Sequence, residues 1–152
     1  MTGELLQTDN DYVYLFLRVV AGIIIFPYGM QKLFGWFEDL GGGIGIKGSM
    51  RSLKAKGIPA LMGWLVIIGQ SLGSIALIIG CLGRVAAAGN FIIFMGALVV
   101  HARDGWTLNW LGKKKGDGVE YFVLLLSVLL IIIAKGSGAV SVDRWLLSVF
   151  KF

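Results

Sequence analysis

The chain has 152 residues, of which 57% are hydrophobic and 15% charged, and its formal net charge is +5. A mean hydropathy of +0.81 excludes an ordinary soluble domain, because a chain of this size cannot bury so much apolar surface in water. The sequence therefore predicts a protein that crosses a membrane several times. Its basic residues lie beside apolar segments, so membrane lipids rather than nucleic acid are the expected partners.

The only cysteine limits the redox chemistry that this chain can perform alone. Cys81 can form neither an internal disulfide nor a Cys-x-x-Cys pair, so a dithiol would have to come from a partner or a small molecule. We expect Cys81 itself to be a small packed hydrophobe near a helix end.

Four apolar segments approach the length of about 20 residues that a spanning helix needs. They predict helices at residues 12–34, 59–81, 84–101 and 119–135. The first has no basic region before it, so we expect it to be retained rather than cleaved as a signal peptide. Short connections, such as Leu82-Gly83, make consecutive helices antiparallel. We therefore expect one all-α integral membrane domain over residues 1–152, an antiparallel four-helix bundle.

The first long loop carries a second helical pattern. After the break at residues 41–43, residues 44–57 combine apolar residues at spacings of three and four with basic neighbours. This pattern predicts a short interfacial helix, and the alternative is a flexible basic loop. We expect Pro27 to kink the first spanning helix. The pair Gly69 and Gly73 predicts close packing, either on a neighbouring helix or along a homodimer seam.

Charge asymmetry predicts the orientation. Lys and Arg are more numerous beside the two long loops, which include the run 113–115, than beside the termini. The positive-inside rule then places both termini outside and the loops in the cytoplasm. The expected location is a bacterial cytoplasmic membrane.

Polar residues within or next to the spans are the candidate functional residues, because an ionisable group there costs about 2.5 to 3.5 kcal/mol. The candidates near the loops are Gln31, Lys32, His101, Arg103, Asp104 and Glu120. Those near the termini are Arg18, Arg84, Lys135 and Asp143, and Gln70 lies midway. At the second group we expect structural roles, with Arg18 either snorkelling or paired with Asp143.

His101 and Asp104, three residues apart near a helix end, could form a hydrogen-bonded acid–base pair on one face, and Glu120 falls at the same depth. Together they could transfer protons or hydrogen-bond a quinone carbonyl. The alternative is that Glu120 favours a helix N-terminus while the other two hold the loop. Their spacing matches no metal motif, so no metal is expected. Lys32 is either a membrane anchor or a ligand-binding residue. Aromatic residues near these ends most simply form an interfacial belt: Trp36, Trp106, Trp110 and Tyr121.

A series of short motifs extends over nearly the whole chain. In order they are Arg18 with Gly29-Met-Gln-Lys32-Leu33, Gly57-Ile-Pro59, Gln70-x-x-Gly73, Gly80-Cys-Leu-Gly-Arg84, His101-Ala-Arg-Asp104-Gly105-Trp, Gly118-Val-Glu120-Tyr121, and Gly136-Ser-Gly138 through Asp143. Their order and spacing resemble the DoxX family of small four-helix membrane proteins. Two departures stand out: Gln70 is often glutamate in the family, and Ser137 replaces the proline of a common Gly-Pro-Gly.

The resemblance implies a membrane subunit of a quinone-linked thiol or sulfur oxidoreductase assembly, whose protein partner carries the redox chemistry. On this hypothesis we expect a noncovalent quinone, with His101, Asp104 and Glu120 in proton transfer and with ligand contacts from Gln31, Lys32, Gln70 and Arg103. The alternatives are a non-catalytic membrane scaffold or chaperone and, third, a small-solute carrier. A homo-oligomer is a further expectation.

Overall fold

The computed structural model describes residues 6–40, 44–109, 111–112, 116 and 118–150. The break at 41–43, the aromatic residue Trp110 and the basic run 113–115 therefore lie outside the described residues.

The described residues form six α-helices and no strand. They are α1 (Tyr12–Phe34), α2 (Gly45–Ala55), α3 (Ala60–Ile79), α4 (Gly83–His101), α5 (Glu120–Lys135) and α6 (Val142–Phe150). Helix α1 packs on α3 and α5, and α4 packs on the same two helices, so these four close into a ring of antiparallel neighbours. The expected all-α four-helix bundle, with a short helix in the first long loop, is confirmed.

Local sequence signals set the helix ends. The Asp11 carboxylate accepts a hydrogen bond from Val13 N at 2.7 Å and caps the start of α1. Gly35, with φ of 83°, ends the same helix in a left-handed conformation that glycine adopts without strain. Helix α1 continues through Pro27. Pro59 precedes α3, and Gly80 ends α3 as Gly35 ends α1.

The outer face of the bundle is apolar. Large side chains such as Leu61, Ile92 and Leu124 are exposed, which suits a lipid environment and not water. Within the described part of the chain, three helical stretches are long and apolar enough to cross a membrane: Tyr12–Phe34, Ala60–Ile79 and Gly83–Asp104. Helix α5, the fourth in the bundle, has only 16 residues, about 24 Å against a bilayer core of about 30 Å.

The interior is filled by small and aliphatic side chains from all four bundle helices. Its central cluster comprises Ala21, Ile25, Leu77, Ala87, Phe94, Leu125, Leu126, Leu129 and Ile132. The glycine pair of α3 contributes to this packing. A Cβ added at Gly69 would lie 2.5 Å from Ile93, and one at Gly73 would lie 2.7 Å from Asn90, both on α4. This glycine face is therefore a helix seam within the chain.

Helix α6 follows the bundle and was not predicted from the sequence. Ser141 begins it, because its hydroxyl accepts a hydrogen bond from Arg144 N at 3.2 Å. A serine with an acid in the next turn is a helix-start signal. The acid, Asp143, is 1% exposed and turns back into the bundle.

Candidate functional site

The polar residues lie in three groups, the first at the end of the bundle where α1 and α4 begin, which we call the terminal end. Here Arg18 is 1% exposed, and its guanidinium donates hydrogen bonds to four backbone carbonyl oxygens from other parts of the chain. The acceptors are Leu77 O at 2.5 Å, Ile78 O at 2.9 Å, Ser137 O at 2.7 Å and Val140 O at 2.8 Å. Two of these carbonyls belong to the last turn of α3, where a cation also suits the helix dipole.

Asp143 performs the complementary task at the next helix. Its carboxylate accepts from Leu82 N at 2.6 Å, Gly83 N at 2.9 Å and the Ser137 hydroxyl at 2.6 Å. The two backbone amides begin α4, so the acid caps the positive end of that helix. Arg18 and Asp143 therefore do not form a direct ion pair. Each stabilises one side of the α3–α4 turn.

Further contacts hold the N-terminal segment to the same end. Arg84 donates to Gln7 O at 3.0 Å and to Ile133 O at 2.8 Å. Lys135 pairs with Asp9 at 3.4 Å, and both side chains are about half exposed. These contacts join segment ends to one another, so the terminal end is a structural cluster.

The second group lies at the opposite end, the loop end, where the connections after α1 and α4 begin. His101 Nδ1 and Asp104 Oδ2 are 2.8 Å apart, and the two side chains are 33% and 32% exposed. A short 3₁₀ turn, Ala102–Asp104, follows α4 and places the carboxylate beside the ring. The imidazole stacks on Phe122, with ring centroids 5.4 Å apart. Asp104 and Phe122 thus fix the orientation of the imidazole, and the His101 side chain remains accessible from outside the protein.

Glu120 does not join this pair. It is exposed, and its carboxylate accepts from Leu108 N at 3.2 Å. Its own N–H donates to Trp106 O at 3.0 Å. These contacts attach the loop after α4 to the first turn of α5, which is a structural role of the kind that Glu residues at a helix start perform.

The remaining candidates at the loop end are separate from the pair. Lys32 Nζ donates to Tyr28 O at 3.3 Å and lies 5.9 Å from the centre of that residue's ring. Gln31, on the same turn of α1, is buried, whereas Arg103 is exposed. Lys32 is thus folded back on its own helix, and Arg103 is exposed at the surface of the loop end.

The third group consists of buried polar atoms inside the bundle. Three of them lack a hydrogen-bond partner among the described residues: Gln70 Oε1, Asn90 Oδ1 and the Tyr121 hydroxyl oxygen. Asn90 uses its amide nitrogen on Gly69 O and Ala86 O, at 2.9 and 3.0 Å. Unpaired polar atoms are costly inside a protein and accept water or a ligand readily.

Tyr121 packs against the core of the bundle, and its hydroxyl oxygen is buried; its place in an interfacial aromatic belt stays a prediction. Its ring centroid is 6.4 Å from that of Tyr28 and 6.5 Å from that of Phe94. The sequence analysis did not select Asn90 or Tyr28. An amide amid the apolar run of α4 was the signal for Asn90, whereas Tyr28 resembles any aromatic residue near a membrane boundary.

The residues of these groups differ in what they could hold. Among the described residues, no three His, Cys, Asp or Glu side chains converge in a way that could hold a metal ion. A quinone needs a flat apolar contact and a hydrogen-bond partner for its carbonyl oxygen. His101, stacked on Phe122 and oriented by Asp104, offers both at the loop end, so these residues fit such a ligand.

Comparisons with known proteins place the chain in a family. Searches against curated proteins and against solved structures give no match. A family model, DoxX, matches residues 13–103, which is more than half of the 152 residues. The match extends from the start of α1 through His101 and ends one residue before Asp104. The chain is a membrane protein that belongs to the DoxX family.

Proposed function

We propose that this protein is the membrane subunit of a quinone-linked redox assembly acting on thiols or reduced sulfur compounds. The observation that carries the proposal is the His101–Asp104 pair, hydrogen-bonded at 2.8 Å, one-third exposed and stacked on an aromatic ring at the loop end. The resemblance of the full series of motifs to DoxX proteins supplies the choice of quinone and sulfur chemistry. The electrons come from a protein partner, because this chain has one cysteine.

In this proposal the residues bind and deliver protons. Asp104 holds Nδ1 of His101, which fixes the ring orientation and leaves Nε2 as the nitrogen that faces a ligand. Phe122 stacks on one face of the His101 ring and excludes water from that face. A bound quinone supplies a two-electron, two-proton acceptor, and His101 is the group that moves a proton at its carbonyl oxygen. Arg103 attracts anionic groups to the same end.

Replacing His101 with alanine is expected to weaken quinone binding by about tenfold, because one hydrogen bond to the ligand is lost. Binding is measured with decylubiquinone on the purified protein, together with mass spectrometry of the quinone that the wild type retains on gentle purification. Asp104→Asn should weaken binding less, because it disturbs the ring orientation and leaves Nε2 present.

Glu120→Gln is the matched control, since it alters an acid at the same end whose carboxylate is bonded to Leu108 N. This variant should bind quinone as the wild type does. Wild-type protein that retains only phospholipid and does not bind decylubiquinone would contradict the proposal, as would unchanged binding by the His101→Ala variant.

A second candidate, a non-catalytic membrane scaffold or chaperone, is favoured by a specific observation. The carboxylates of Glu120 and Asp143 accept hydrogen bonds from backbone amides, of Leu108 in the first case and of Leu82 and Gly83 in the second. These charged groups hold loops and helix ends in place. In a scaffold His101 would do likewise. His101→Ala would then lower the thermal midpoint of unfolding without any effect on quinone, a pattern that separates the two candidates.

We also propose that the loop end faces the cytoplasm of a bacterial cell, following the basic residues on that side. In a Cys81→Ser background, single cysteines at Asn10 and Asp39, both exposed, report on the two ends. A membrane-impermeant maleimide should label the Asn10→Cys variant in intact cells and the Asp39→Cys variant only after permeabilisation. The reverse pattern would invert the orientation.

A further inference from the structure

A groove of about 410 Å³ lies between α2 and the beginning of α3, away from the His101 pair. Gly57, with φ of 78°, reverses the chain between the two helices. Gly63 leaves room for α2, because a Cβ at this position would lie 2.9 Å from Met50 Sδ. Met50, Leu53 and Ile58 give the groove an apolar wall. Its volume is in the range of about 300–1,000 Å³ that small-molecule sites have.

Two cations border this apolar wall. Arg51 and Lys54 line the groove, and both side chains are exposed. Neither side chain has an ion pair or a hydrogen bond with another residue in the described part of the chain. Helix α2 contains no acidic residue, so nothing on the helix itself compensates these charges.

The first turn of α3 adds positive potential at the same place. Pro59, the residue before α3, provides no side-chain cap, and the first helical hydrogen bond runs from Gly63 N to Pro59 O at 2.9 Å. The amides of residues 60–62 therefore lack acceptors within their own helix. Pro59 and Ala60 line the groove, so this end of the α3 dipole faces it.

We propose that the groove binds an anionic phospholipid. Its phosphate lies between Arg51, Lys54 and the start of α3, and one acyl chain follows Met50, Leu53 and Ile58. The apolar wall favours an amphiphile over a water-soluble anion. The groove also lies beside α3, which is long and apolar enough to span a membrane, so a lipid reaches it from the headgroup region. The site is independent of the quinone proposal.

Native mass spectrometry and titration with short-chain lipids test this site on the detergent-solubilised protein. Dioctanoyl phosphatidylglycerol, the anionic probe, should bind about tenfold more tightly than dioctanoyl phosphatidylcholine. The double variant Arg51→Gln/Lys54→Gln should remove this preference. The matched control Lys47→Gln/Lys56→Gln removes the same charge from exposed positions of this region that do not line the groove, and should change affinity by less than about threefold.

A variant that fills the groove tests its shape and retains every charge. Ala60 is exposed and lines the groove, so Ala60→Phe should weaken binding of both lipids and leave the fold intact. Three results would overturn the proposal: no preference for the anionic lipid, equal losses in the two double variants, or full displacement of the lipid by inorganic phosphate. The first two would indicate diffuse surface attraction, and the third a soluble-anion site.

Discussion

Replacing Arg18 with methionine is expected to lower the free energy of unfolding in detergent by at least about 3 kcal/mol. The guanidinium is 1% exposed and donates to the carbonyls of Leu77, Ile78, Ser137 and Val140. Methionine occupies a similar volume and has no donor. The buried carbonyls of Leu77 and Ser137 would then lose their hydrogen-bond donor, and the positive charge would no longer oppose the carboxyl end of the α3 dipole.

Arg84→Met is the matched control for this prediction. Arg84 lies at the same end and also donates to two carbonyl oxygens, but it is partly exposed, so its loss should cost only about 1 kcal/mol. Arg18→Lys should recover little, because an ammonium cannot spread its donors as a planar guanidinium does. SDS titration followed by tryptophan fluorescence gives the three values. Equal losses for Arg18→Met and Arg84→Met would show that burial of Arg18 does not set the stability of this cluster.

Replacing Gly29 with alanine is expected to destabilise the bundle by about 1–3 kcal/mol, although alanine is the better helix former. Helices α1 and α3 approach so closely here that an added Cβ would meet the backbone carbonyl of Gln70 and the Cα of Ser71. Gly22, two turns earlier, packs in the same way against backbone atoms of Ser74 and Ile78. Backbone atoms cannot move aside as a side chain does, so the helices would have to separate.

Gly96→Ala is the control with the opposite expected sign. Gly96 is in the interior of α4, and no atom of the described residues lies within 4 Å of an added Cβ. Alanine there should be neutral or raise stability by up to about 1 kcal/mol, because it reduces the conformational entropy of the unfolded chain. Thermal midpoints from tryptophan fluorescence in detergent compare the two variants. If Gly29→Ala has the same thermal midpoint as Gly96→Ala, the close approach of α1 and α3 does not contribute to the stability of the bundle.

These two predictions determine how loss of activity should be interpreted. Variants of Arg18 or Gly29 are expected to lower the stability of the bundle, so a loss of function in them cannot be assigned to chemistry. His101 is different, because its ring is one-third exposed and its hydrogen bond to Asp104 lies outside the packed core. A His101 variant that remains folded and does not bind quinone would therefore be informative about function.

The sequence alone determined the class of fold. Runs of apolar residues longer than a soluble helix needs, divided by Gly and Pro, predict helices and their approximate ends, and short connections predict antiparallel neighbours. The i, i+3 spacing of His101 and Asp104 predicted their contact, because residues three apart share a helix face. Helix α6 was not predicted, although Ser141 and Asp143 are a helix-start signal, because its 9 residues are far fewer than a membrane span needs.

Only the tertiary structure decided which polar groups are structural and which are available. Arg18, Glu120 and His101 all appear in the sequence as costly polar groups near a span. In the structure Arg18 is buried among carbonyls and Glu120 accepts a hydrogen bond from Leu108 N, whereas the side chain of His101 is one-third exposed. The partners of these groups lie up to about 120 residues away, as between Arg18 and Val140. Periodicity reports which face a residue occupies and cannot report which distant backbone group that face meets, because that depends on how the helices pack.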